Sequence, residues 1–114
     1  GAAGALFKGR FDRKLKGSDI VHWGEGDVAV APDRIVHEGR LAPGPDYKLY
    51  LAPEFVDTKE GFLAIKERSK RIGDVKTFNG FIVDVPPGVE VRDYTTAVVW
   101  CEAFSQFISA ARYR

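Results

Sequence analysis

The chain has one cysteine and no methionine in its 114 residues. A lone thiol excludes an internal disulfide and any zinc site built on paired cysteines. The Gly-x-Ser-x-Gly elbow, the P-loop and His-Glu-x-x-His are all missing, so the common hydrolase, nucleotide-binding and metalloprotease signatures have no support. Nothing approaches the roughly 20 consecutive apolar residues that span a bilayer as a helix, so no direct membrane insertion is expected of this segment. Charge of one sign is also lacking: the net is +1. The basic run Lys66, Arg68, Lys70 and Arg71 is interrupted by Glu67 and reads as a solvated helix face, so no nucleic-acid partner is expected. No loop alternates oxygen ligands as calcium needs; Asp27, Asp33, Asp46, Asp57, Asp74, Asp84 and Asp93 fall at turns and strand ends, where aspartate caps the local backbone. With no methionine at its start, Gly1-Ala2-Ala3-Gly4 reads as a trimmed terminus, suited to a domain cut free of a signal peptide or membrane anchor.

What remains is an ordinary globular composition, 45% hydrophobic and 29% charged, at a length that suits one domain over residues 1–114. Short runs of β-branched and aromatic residues alternate with turn residues. Leu6 to Phe11 reads as a weak first strand. Ile20 to Val30 is strand-like, with Gly24 and Gly26 suggesting a bulge or close backbone approach. The turn Pro32-Asp33 leads to a hairpin partner at Arg34 to Glu38. A stiff loop from Leu41 to Asp46 precedes a strand at Tyr47 to Leu51, which places Tyr47, Leu49 and Leu51 on one face. Thr58 to Arg68 is the one stretch patterned for helix. Arg71 to Lys76 and Phe78 to Val85 read as a hairpin, and Thr95 to Cys101 as a strand pairing with one through Phe107. The expected architecture is all-β: an antiparallel β-sandwich of short strands with at most one short helix.

Chemistry concentrates at Cys101. Period-2 alternation puts Ala97, Val99 and Cys101 on one face of its strand and Thr96, Val98 and Trp100 on the other. Free cysteine is among the most buried residue types, so a packed core thiol stands beside a functional one. The alternation points to a mostly buried sulfur in a crevice beside Trp100, reached through a narrow opening. His22 and His37 fall on strands flanking one turn and are expected to approach each other across it.

Several stretches, taken in order, carry a family likeness: Gly17 to Gly26 with His22; Pro43-Gly44-Pro45-Asp46 leading into Tyr47 to Leu51; Ile72-Gly73-Asp74-Val75 through Val83-Asp84-Val85-Pro86; and Val99-Trp100-Cys101-Glu102 followed by Phe104, Phe107 and Ala110-Ala111. Together they resemble the DM-thirteen family, a group assigned to electron transfer, over roughly Leu6 to Arg112. The family's domains often sit beside DOMON domains in secreted or membrane proteins, and single bacterial copies occur; this chain resembles such a single copy. It departs from the pattern at Glu54 to Arg68, a charged segment where the family has a short loop, and at the opening, where Trp23 follows His22 directly.

The resemblance implies a redox module acting through Cys101, as a bare thiol or as an axial ligand to haem. Haem requires an apolar pocket and a second ligand from His22 or His37, with Trp100 beside the cofactor. A reactive thiol requires a nearby cation or helix N-terminus and some exposure; Glu102, next in the chain, opposes thiolate formation if it comes near. The resemblance also implies an extracytoplasmic location, periplasmic, secreted or anchored through a preceding segment, and an unidentified protein or redox partner. The alternative is a non-enzymatic binding or adhesion module with a structural cysteine, recognising its ligand through Pro43 to Asp46 or the Glu54 to Arg68 segment.

Overall fold

Turn chemistry lays out the first sheet. In a computed structural model that describes residues 4–114, strands β2 (Gly24–Val30) and β3 (Arg34–Leu41) form a hairpin about Pro32-Asp33, with Val30 opposite Ile35 and Gly24 opposite Leu41. Within it Gly26 and Gly39 sit face to face at positive φ, and a Cβ on Gly26 would lie 2.2 Å from the Glu38 carbonyl oxygen. Only glycine permits that backbone approach. Strand β1 (Phe7–Phe11) adds to the outer side of β2. The reading of the first four residues as a trimmed terminus falls mainly on residues 1–3, outside the described residues.

The second sheet is built around β4 (Tyr47–Ala52), which pairs with β7 (Thr96–Cys101); β7 pairs in turn with β8 (Gln106–Arg112). Trp100 stands opposite Phe107 and Cys101 opposite Gln106. All pairings are antiparallel, and the two sheets of four strands are packed on each other, as the alternation predicts. Val28, Val30, Ile35, Leu49, Leu51 and Val99 fill the space between them.

A second core lies outside the second sheet. Helix α1 (Lys59–Ile65) is capped by Thr58, whose hydroxyl accepts from the Gly61 amide at 2.9 Å, and its buried residues are Phe62 and Ile65. They pack on the outward residues Tyr50, Val98, Trp100 and Phe107. The helix stands where the sequence pattern allows one, and the charged segment therefore covers an apolar sheet face.

One pairing differs from the sequence pattern. β5 (Lys70–Val75) does not form a hairpin with β6 (Phe81–Asp84): β5 pairs with β4 in the second sheet and β6 with β3 in the first. The intervening residues cross the edge of the sandwich, where the Phe78 carbonyl accepts from Leu41 N at 2.8 Å. Ile72 and Val75 then face Phe81 and Val83 across the core. A hairpin would have placed these pairs side by side in one sheet; the crossing closes the sandwich edge instead.

Candidate functional site: the Cys101 cleft

Cys101 ends β7 on the inner face, between Tyr47 on β4 and Gln106 on β8. Its residue is 3% exposed. The sulfur nevertheless borders a cleft of about 330 Å³. Sγ donates to the Pro45 carbonyl at 3.0 Å, so the group in this structure is the thiol. Tyr47 Oη donates to Ala42 O at 2.6 Å, and the Glu102 amide donates to Asp46 O at 3.0 Å. Burial, and secondarily the proximity of Cys101, push the Tyr47 phenol up to about 12, so it stays protonated and keeps that bond.

These three bonds hold residues 42–46 as one wall of the cleft. Gly44 lies flat on the Tyr47 ring, where a Cβ would come within 2.6 Å of Oη. Asp46 takes φ 58°, the left-handed region that aspartate tolerates better than most residues. Its carboxylate reaches Lys48 Nζ at 3.0 Å, rather than the backbone bond that turn chemistry suggests.

The opposite wall comes from the loop before β2. Asp19 Oδ1 accepts from the amides of Val21 and His22, each at 2.9 Å, and Oδ2 lies 3.1 Å from His22 Nδ1. The Val21 amide first, and then the imidazole, hold the Asp19 carboxyl below its usual range. The carboxylate can only accept, so Nδ1 carries the proton and donates. His22 Nε2 is left without a protein partner among the described residues. Phe104, in the turn between β7 and β8, and Val21 flank the mouth at 64% and 58% exposure.

The four residues singled out in the sequence do not assemble as a group. Cys101 and His22 share the cleft. Trp100 points through the opposite face of β7, fully buried with its ring 4.9 Å from that of Phe62, so the crevice is not beside the indole. His37 does not approach His22: strand register places it opposite Val28, while His22 precedes β2. Its ring sits 5.0 Å from both Phe11 and Phe81, and Nε2 is 2.7 Å from the Glu25 carbonyl oxygen, to which it donates. Burial lowers its pKa below 6.5, against the opposing pull of that carbonyl, and favours the neutral ring.

Glu102 turns to the outer face as well. It accepts from Lys66 Nζ at 2.7 Å and from Tyr50 Oη at 3.2 Å. Burial works against its ionisation, but those hydrogen bonds and the Lys66 charge outweigh it and keep the carboxyl below its usual range. The negative charge next to Cys101 in sequence is thereby neutralised on the far side of the strand.

The family's sequence profile, described as electron transfer DM13, matches residues 14–113. The chain belongs to the DM13 family. No curated protein and no solved structure matches it. The DM13 match spans both walls of the cleft as well as the cysteine strand. Among the described residues no helix is long and apolar enough to cross a membrane, and no three His, Cys, Asp or Glu side chains gather within reach of one metal ion.

Sequence reasoning gave no role to Asp19, which holds His22 from behind the cleft lining, or to Val21 and Phe104 at the mouth, and it did not mark the Pro45 carbonyl as the partner of the thiol. Asp19-x-x-His22 was the readable signal, because an aspartate three residues before a histidine can close a local turn and take Nδ1. The carbonyl could not be found that way, since its role depends on pairing β4 with β7.

Proposed function

We propose that this DM13 domain works as a bare-thiol electron-transfer module with Cys101 as its working group. The observation that carries the reading is that Cys101, only 3% exposed, lines an open cleft, the direction from which a slim reactant would approach Sγ. As the chain's only cysteine, Cys101 forms a disulfide only with a second molecule. Cys101–SH and an external disulfide R–S–S–R give the mixed disulfide Cys101–S–S–R and RSH, the thiol proton leaving with RSH. The extracytoplasmic location implied by the family likeness is part of this reading, since disulfide chemistry persists there.

Haem fits the residues less well than a small reactant does. His37 is enclosed by two phenylalanine rings, Trp100 is on the wrong face of β7, and the Cys101 thiol is engaged with Pro45 O. No step is therefore assigned to haem.

The test is titration of the folded protein with 2,2′-dithiodipyridine. One thiol per chain is expected to react under native conditions, with Cys101→Ala silent. A wild-type thiol that stays silent until denaturant is added would sink the reading and leave the alternative, a binding module with a structural cysteine.

A further inference from the structure

We infer that the Cys101 cleft binds an uncharged phenolic ring of the hydroquinone class, with a ligand hydroxyl donating to His22 Nε2. The inference takes the same cleft as the thiol reading and names its small-molecule occupant. It does not require the thiol to react.

Three features of the cleft select this chemistry. The first is size. A cavity of about 150 Å³ accepts benzene, and one of about 330 Å³ has room for a single substituted ring. The second is charge. Among the described residues no Asp, Glu, Lys or Arg lines the cleft, so a phosphate, carboxylate or ammonium entering it would lose water without gaining a counter-charge. Its walls are Val21, Pro43, Phe104 and Ile108 instead, the mostly apolar lining with a few fixed polar groups that small-molecule sites show.

The third feature is the polarity of the hydrogen bond on offer. Asp19 holds Nδ1 of His22, so the neutral ring presents Nε2 as an acceptor. Tyr47 Oη and Cys101 Sγ have already committed their protons to Ala42 O and Pro45 O. The polar side-chain groups left to a ligand are His22 Nε2, an acceptor, and the Gln106 amide, which both donates and accepts, so a hydroxyl that donates to Nε2 finds a partner here. A ring seated between Val21 and Phe104 would also cover two of the large apolar side chains that now face solvent at 58% and 64% exposure.

The experiment is calorimetric titration of the folded domain under argon with durohydroquinone, its dimethyl ether and hydroquinone sulfonate. Durohydroquinone is expected to bind saturably at one site. The ether keeps the shape but has no proton to donate, and it should bind about tenfold more weakly, as expected for one lost hydrogen bond. The sulfonate should not bind measurably. His22→Leu should weaken the diol to the level of the ether and leave the ether unchanged, which a merely structural role for His22 would not produce. Phe104→Ser, at an exposed turn, should weaken both.

Absence of saturable diol binding, equal binding of diol and ether, or binding of the sulfonate overturns the inference. Cys101→Ala separates the two readings. Retained diol binding by this variant, together with a wild-type thiol inert to dithiodipyridine, leaves the ligand site standing and the thiol reading lost. A reactive thiol with no diol binding gives the reverse.

Discussion

On the inner face of β7 the last residue, Cys101, borders a cleft; on the outer face its neighbour Trp100 is sealed beneath α1. Both are almost fully buried, at 3% and 0% exposure, so burial alone does not distinguish them. What differs is the covering element. The outer face is closed by a helix whose Phe62 and Ile65 side chains fill the space above the indole. The inner face is closed by residues 42–46, a loop held by three hydrogen bonds and no large apolar side chain. A packed helix leaves no room beside the residue it covers, whereas a loop resting on its own backbone leaves a cleft. The strand therefore joins a structural face to a chemical one, and each can be perturbed separately.

The largest effect should come from opening the structural face. Phe62→Ala removes a fully buried ring from contact with Trp100 and Tyr50, and unfolding in urea should show a loss of about 3–5 kcal/mol. If the faces are independent, dithiodipyridine should still react with Cys101 at the wild-type rate in whatever fraction remains folded. A faster native reaction would show that α1 also restrains the cleft and would break the comparison.

Next in size is a pH effect in the first sheet. His37 is buried with Nδ1 lacking a partner, between Phe11 and Phe81. Its pKa is lowered in the fold, chiefly by burial, so the unfolded chain binds the proton more readily. Stability contributed by the neutral ring is therefore complete above pH 6.5, the unfolded value, and declines as pH falls below it towards the folded value. Glu25 and Asp27 on β2, Glu38 on β3, Asp84 on β6 and Asp74 on β5 are the acidic groups on the strands around it; the Glu25 carbonyl and Asp27 favour the protonated ring and limit the decline. Urea midpoints between pH 7.5 and 5 should fall for wild type and flatten for His37→Phe. Equal slopes in the two proteins would mean that other groups control the acid limb.

The parts of the fold that the sequence revealed are those where one rule acts alone. Alternation in Thr96–Cys101 assigns both faces correctly, and Tyr47, Leu49 and Leu51 point inward as their spacing predicts. The helix follows from the recurrence of Phe62, Leu63 and Ile65 with glutamate near its start, although only Phe62 and Ile65 are buried. The β5–β6 hairpin was misleading because Asn79-Gly80 is good turn chemistry, and nothing local shows that Ile72 and Phe81 belong to opposite sheets. The candidate site was half legible. Cys101 stood out by being alone, but its surroundings came from three separate loops, and period-2 reasoning cannot say which loop lies over a strand end. Trp100 and His37 were grouped with it through their chemistry, and the fold sends each to another compartment.

A smaller change is expected at the sulfur itself. Cys101→Ala deletes a side chain that adjoins a cleft able to take water, so its cost should be about 1–2 kcal/mol, at the low end for a buried site. A buried hydroxyl is normally the worse replacement. Here, however, the Pro45 carbonyl accepts from Sγ at 3.0 Å and is placed to accept from a serine hydroxyl too. Cys101→Ser should therefore cost no more than Cys101→Ala in a urea titration. A clearly larger loss for serine would mean that the carbonyl cannot follow the shorter C–O bond, and that loop 42–46 is more rigid than three hydrogen bonds imply.

The smallest effect concerns charge transfer of influence through the strand. Glu102 follows Cys101 in sequence, but its carboxylate is paired with Lys66 at 2.7 Å on the outer face, where both side chains remain about a quarter to a third exposed, at 26% and 30%. Ion pairs of this kind are worth at most about 1 kcal/mol, so Glu102→Gln should shift stability by less than that. Its effect on the thiol should be smaller still, because the substitution removes a negative charge whose neighbouring Lys66 already offsets it and leaves the Glu102 amide bond to Asp46 O intact. The native rate of Cys101 with dithiodipyridine should thus stay within about twofold of wild type at pH 7, since a tenfold change would require about 1.4 kcal/mol of differential interaction. A larger increase would mean that the outer-face carboxylate restrains thiolate formation through the strand, making the Lys66–Glu102 pair part of the Cys101 site rather than of the helix seal.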